Sequence, residues 1–390
     1  MWIYLLTLWT FAAVAAPAKT LATHRIAIDD GGELKVPDGM SFAVVGNTRP
    51  NSTLLDKGSV FDASASADVI GDILAQGLLG NPLTFLIHTG DMVVSSTPGN
   101  WKKFDKQFVG LLDGSSPPPT AARRIPVIPV AGDRDCDRDA ECKSFASTFP
   151  GFGSPIGYGR VATWQSFDLV VGKTKRWRVL VLDTNRKGLG SRWNEQKAWI
   201  SNAVKGDYSG LLIFLHEPVF SSDPDDVNEN SQALLEHISE HARLLSVKAV
   251  FSAGPHHSQA FAPEGGFGSM HIGTGGGGAP AADVPRGVKG ATTAHSHDET
   301  FSKGLDALVG VWRTTEKPPS DKSVDEAMGT GSYNGYPRNL DSSSFPTYGW
   351  WKVGVTPSGL DLTWRARQPN GAFSPQASWV WTEADGWAGK

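Results

Sequence analysis

From residue 41 to residue 252, short apolar β-rich runs alternate with segments of helical period, and most of the runs end at a polar or glycine-containing turn. Strands interleaved with amphipathic helices build an α/β sheet with helices on its faces, so this alternation constrains the fold more than any other feature. The first three runs, Ser41 to Val45, Thr84 to Ile87 and Ile125 to Val130, precede helical patterns at Ser64 to Leu79, Trp101 to Leu112 and Lys143 to Phe149. The pattern then predicts strands at Thr163 to Val171 and Arg178 to Leu182, a helix at Asn194 to Val204 and a strand at Leu211 to Leu215. A helix at Ser231 to Leu245, a strand at Lys248 to Ser252, and a final strand pair at Tyr348 to Val355 and Leu360 to Arg367 complete it. Open α/β sheets bind ligands at the carboxyl ends of their strands, so the chemistry belongs at these turns.

Forty-four Gly and 25 Pro among 390 residues, with 19% charged, imply long loops between packed elements and exclude a continuous helical bundle. Residues 279–344, rich in Gly, Pro, Ser, Thr and charge, read as one long irregular insertion. The net charge of -4, without a Lys/Arg cluster beside aromatics, argues against a nucleic-acid partner. Residues 1–18 form an apolar run followed by small residues, the pattern of a cleaved export signal; lacking Lys or Arg at its start, an uncleaved anchor is the alternative. No later segment is apolar enough to span a membrane, so no transmembrane span is expected in the mature chain. In an oxidising compartment the two cysteines, Cys136 and Cys142, can close a small loop as a disulfide, two buried thiols being the alternative.

Five strand ends carry short motifs: Gly46-Asn47-Thr48-Arg49, Gly90-Asp91, Gly132-Asp133-Arg134-Asp135, His216-Glu217-Pro218 and Gly254-Pro255-His256-His257. In order, spacing and strand context these resemble the motifs of calcineurin-like metallophosphoesterases of the purple acid phosphatase type. The resemblance implies an α/β fold of two sheets packed as a β-sandwich and flanked by helices in αββα layers. It places a domain at residues 41–390 after an N-terminal segment at 19–40. It also implies that Asp91 bridges two metal ions, that Asp133 and His216 bind the second ion, and that His257 binds the first. Such an ion pair generates hydroxide and neutralises the phosphoryl oxygens in the transition state.

The departures from that pattern are equally specific. Asn47 stands where the family has a ligand Asp and is at best a weak ligand, Arg49 where it has a ligand His, and Pro255 where it has another His. Arg134 occupies the catalytic position of the His credited with protonating or orienting the substrate, and a guanidinium can neither ligate a metal nor release a proton near neutral pH. The expected cofactor is therefore at most one divalent ion (Zn, Fe, Mn or Mg), or none. Arg49 and Arg134 are expected to bind an anion, such as a phosphorylated small molecule, and to lie within ion-pair distance of Asp91, Asp133 or Asp135. The expected function is an exported protein of this fold with little or no hydrolysis; a mononuclear phosphoesterase is the alternative.

Other signals compete. His237-Ile238-Ser239-Glu240-His241 matches an inverted zinc-protease pattern, and the aspartates at 133, 135, 137 and 139 resemble a calcium loop without its Gly and Glu. Gly273 to Gly278 fits G-x-G-x-x-G, but Ala279-Pro280 follows instead of a helix. His88 reads as a packed core histidine. Asn51-Ser52-Thr53 is a glycosylation sequon, and His295-Ser296-His297-Asp298 an incidental polar loop.

Overall fold

The computed structural model describes residues 28–49 apart from 29 and 37, 64–77, 83–108, 125–153 apart from 140 and 141, 162–219, 228–242, 246–254, 258–261, 268–278, and 348–389 apart from 369. The export segment, the sequon, Pro255, His256, His257, the 295–298 cluster and the 279–344 insertion lie outside the described residues.

Two seven-stranded sheets form the centre. One contains β1 (Glu33–Val36), β5 (Gln165–Val171), β6 (Lys175–Val181), β7 (Gly210–Phe214), β8 (Val247–Ser252), β10 (Met270–Thr274) and β9 (Ser258–Phe261), in that spatial order. The other runs β14 (Gly386–Gly389), β13 (Phe373–Thr382), β12 (Gly359–Arg367), β11 (Gly349–Thr356), β2 (Met40–Val45), β3 (Leu83–His88) and β4 (Val127–Pro129). The strands β2, β3 and β4 are parallel, as are β6, β7, β8 and β10. Parallel strands covered on both faces need apolar residues on both, which is why β7 (GLLIF) is buried throughout.

The sheets meet face to face through aromatic rings. Phe42 and Phe85 stack at 4.7 Å on one sheet, Phe214 and Phe251 at 4.6 Å on the other, and Phe42–Phe214 and Phe85–Phe167 contacts cross between them at 6.3 and 6.2 Å. Helices cover the outside. The helices α5 (Arg192–Ala203) and α6 (Glu229–His241) lay Trp193, Ile200, Leu234 and Ile238 in a second apolar cluster with Leu180, Leu211 and Ile213. On the other side, α1 (Ala65–Gly77) packs near β3 and β11, while α2 (Pro98–Phe108) and α3 (Lys143–Thr148) share an aromatic cluster of Trp101, Phe104, Phe145 and Phe149. A single turn, α4 (Arg186–Leu189), precedes α5.

The last strand pair expected from the sequence is followed by two more, β13 and β14. Pro375 and Gln376 hide β13 from a pattern reading. The residue is tolerated because β14 pairs only with Trp379 to Thr382, leaving the Pro375 half of β13 as an edge, and a bulge opposite Trp364 and Arg365 absorbs the irregularity. Edge strands β1 and β9, too short to show a period, also escaped the pattern.

Candidate metal centre

The carboxyl ends of β2, β3, β4, β7 and β8 converge. Gly46 N–H donates to the Thr274 carbonyl at 2.9 Å, Asn47 N–H to Gly90 at 3.0 Å, and Arg49 N–H to Asp91 at 3.1 Å, so the first two motif loops lie against each other through their backbones. Such contact leaves no room for side chains. A Cβ on Gly90 would lie 2.6 Å from His216 Nδ1, and one on Gly132 would lie 2.4 Å from the Asp91 nitrogen. Two non-glycine residues pay for the geometry: Asn47 and Asp91 have φ of 53° and 56°, a left-handed conformation that clusters at functional sites.

Asp91, Asp133 and His216 each offer one ligand atom, and these atoms lie within 4.8 Å of one another. His216 Nδ1 is 2.9 Å from the Thr89 carbonyl, which only accepts, so Nδ1 carries a proton and Nε2 faces Asp91 Oδ1 at 3.4 Å and Asp133 Oδ1 at 3.6 Å. Two carboxylate oxygens and an imidazole nitrogen whose other nitrogen is held by a carbonyl form a donor set that fits a divalent cation. Asn47 turns its Nδ2 to the Ala253 carbonyl.

The arginines differ from one another. Arg49 Nε is 3.5 Å from Asp91 Oδ2, with both side chains 4% exposed. Arg134 Nε is 3.4 Å from Asp133 Oδ2, so both arginines lie within ion-pair distance of one of the expected carboxylates, but these side chains are 35% and 47% exposed, and the buried guanidinium is Arg49. Asp135, the third of the carboxylates named as possible arginine partners, is satisfied by the backbone. Its carboxylate accepts from the N–H groups of Asp91, Met92, Val93 and Gly132 at 2.9 to 3.1 Å. Asp137 accepts from Ser96 N–H at 2.8 Å and Asp139 from Ser144 N–H, so amides engage three of the four aspartates that resembled a calcium loop, Asp133 being the exception. Cys136 and Cys142 form a disulfide.

Burial pushes Asp91 up to about 7 against the pull of His216. Burial would lower His216, but Asp91 and then Asp133 outweigh it and raise the imidazole to about 10. For Asp133, hydrogen bonding and charge from His216 overcome burial and hold the carboxyl well below its usual range. Two carboxyls that no motif singled out as chemistry flank the centre. Burial raises Glu217 to about 7; burial raises Asp183 to about 6, where it accepts from Thr163 Oγ1 and Asn185 N–H. Adjacency to His216 was the available signal for Glu217.

His88 is the packed core residue expected. It accepts from Gly90 N–H on Nδ1 and donates from Nε2 to Thr48 Oγ1 at 2.7 Å, beside Phe104 and Phe108. The rings of His237 and His241 do lie together, 4.6 Å apart, but His237 Nε2 bonds to the Lys197 carbonyl and ties α6 to α5.

No protein-family profile and no curated sequence matches the chain. Solved structures do. GAP50, the anchor in the inner membrane complex of Plasmodium, is similar at 12% identity, over 84% of this chain and 85% of that one, with a TM-score of 0.50. The purple acid phosphatase PPD1 of yellow lupin (Lupinus luteus) seeds is similar at 15% identity, over 87% of this chain, with a TM-score of 0.50; the match spans about half of the lupin enzyme, 53%. PhoD is similar at 11% identity, over 92% of this chain and 72% of that one, with a TM-score of 0.51. The chain thus has the calcineurin-like metallophosphoesterase fold.

Proposed function

We propose that the protein holds one divalent cation between Asp91, Asp133 and His216 and binds a phosphorylated small molecule or another anion there, with hydrolysis absent or very slow. One observation carries this reading: the Asp91 carboxylate divides its oxygens, Oδ2 toward the buried guanidinium of Arg49 and Oδ1 toward His216. The carboxylate expected to bridge two ions thus faces a guanidinium on one side and the ligand cluster on the other. When bound, a divalent ion supplies positive charge to phosphoryl oxygens and acidifies water. This chain's residues then orient the anion, with Arg134, still partly exposed at the rim, able to reach it. Arg134 has no proton to give a leaving alkoxide near neutral pH. A binding role also accords with GAP50 being an anchor, and export accords with the disulfide and the apolar residues 1–18.

Mass spectrometry of the purified protein under native conditions should find one transition-metal ion per chain, lost on Asp91→Ala. Two tightly bound ions would overturn the reading. The accessible rim position of Arg134 favours a second reading, a mononuclear phosphoesterase. Turnover of an aryl phosphate in the ordinary enzyme range, abolished by Asp91→Ala, would establish that alternative.

A further inference from the structure

The segment from Gly132 to Cys142 carries a candidate ligand, Asp133, but no strand among its described residues, and the helix after it begins only at Lys143. A hydrogen-bond ladder therefore does not fix Asp133. Two clasps do. Asp135 ties the start of the segment to the Asp91 loop through three of its amides, those of Asp91, Met92 and Val93, and accepts a fourth bond from Gly132 within the segment. The Cys136–Cys142 disulfide closes the rest, around internal bonds from Asp139 N–H to Cys136 O at 3.3 Å and from Cys142 N–H to Asp139 O at 2.9 Å. Cys142 has φ 52° and ψ 40°, a left-handed conformation that a non-glycine residue leaves unless its surroundings hold it.

We infer, building on the single-ion reading of this centre, that the disulfide is a positioning element: it holds Asp133 against His216 and Asp91, and metal affinity depends on it. Without the crosslink, Cys142 relaxes, the tether on Asp133 lengthens, and the segment is left to the hydrogen bonds of Asp135, Asp137 and Asp139. Loss of support behind a metal ligand weakens metal affinity by about 10- to 100-fold.

Mn2+ is a suitable probe because thiolates favour softer ions. Calorimetric titrations should compare the oxidised wild type with Cys136→Ala/Cys142→Ser and with Cys136→Ala/Cys142→Gly. Glycine adopts the left-handed conformation freely, so the second variant loses the crosslink without adding strain at position 142, and its chain is as free to wander as the first variant's. Wild-type protein reduced in its folded state gives the same comparison without substitution. Both variants and the reduced protein should bind Mn2+ about 10- to 100-fold more weakly, and the amides of Asp91, Met92 and Val93 should exchange hydrogen faster. Equal affinity in folded, crosslink-free protein overturns the inference. If the oxidised wild type takes up no Mn2+, the single-ion reading fails by itself. Amide exchange then decides the positioning role, faster exchange supporting it and unchanged exchange refuting it.

Discussion

At the scale of single residues, the two arginines of the centre separate by burial. Removing one member of a buried ion pair strands a charge, at a cost of about 3–5 kcal/mol, whereas exposed pairs contribute about 0–1 kcal/mol. Arg49→Ala should therefore lower unfolding stability by the larger amount and Arg134→Ala by the smaller, measured by denaturant titration. Equal losses would contradict the burial argument. A double-mutant cycle of Arg49→Ala with Asp91→Asn should lose clearly less than the sum, because the two groups compensate each other. The convergence of Asp91, Asp133 and His216 was legible because each follows a strand in a fixed motif. The burial of Arg49 was not, since positions 49 and 134 look equivalent until the loops around them are packed. The partners of Asp135 were not legible for a related reason: a carboxylate can be satisfied by backbone amides from another loop, which leave no mark on composition.

At the scale of elements, the loops after β3 and β4 touch through their backbones, and glycine makes the contact possible. Gly132→Ala would place a methyl 2.4 Å from the Asp91 nitrogen and 2.7 Å from Asp91 Oδ1. Overpacking of this kind typically costs about 1–3 kcal/mol. Its thermal midpoint should fall and its metal uptake with it; a variant as stable as the wild type would show that the loops can move apart. The central strands were legible because they are buried on both faces and read as unbroken apolar runs. The expected strand Leu211 to Leu215 and the observed Gly210–Phe214 differ by one residue at each end. Where only one face is covered, or a proline breaks the run, as in β13, packing rather than pattern decides the element.

At the scale of the whole molecule, acid should destabilise the fold through histidines far from any surface. Burial holds His88 and His271 at about 3, against an ordinary value of 6.5. Between those values the unfolded chain carries a proton on each imidazole that the folded chain does not, so their contribution is fully present above the ordinary value and declines as pH falls. The slope is about 1.4 kcal/mol per pH unit for each histidine. His271→Gln should flatten the fall of the urea midpoint below about pH 6 by one such share; an unchanged slope would show that His271 takes up protons while folded. The sheet order carries a different consequence, one for the ribosome. The strand β2, which leads into Arg49, ends at Val45, but its neighbour β11 begins at Gly349. At about 5–20 residues per second, roughly 15–60 s of translation separate the two. Throughout that interval one edge of an apolar strand has no native partner, and the nascent chain is most prone to stick to its neighbours just before its final strands emerge.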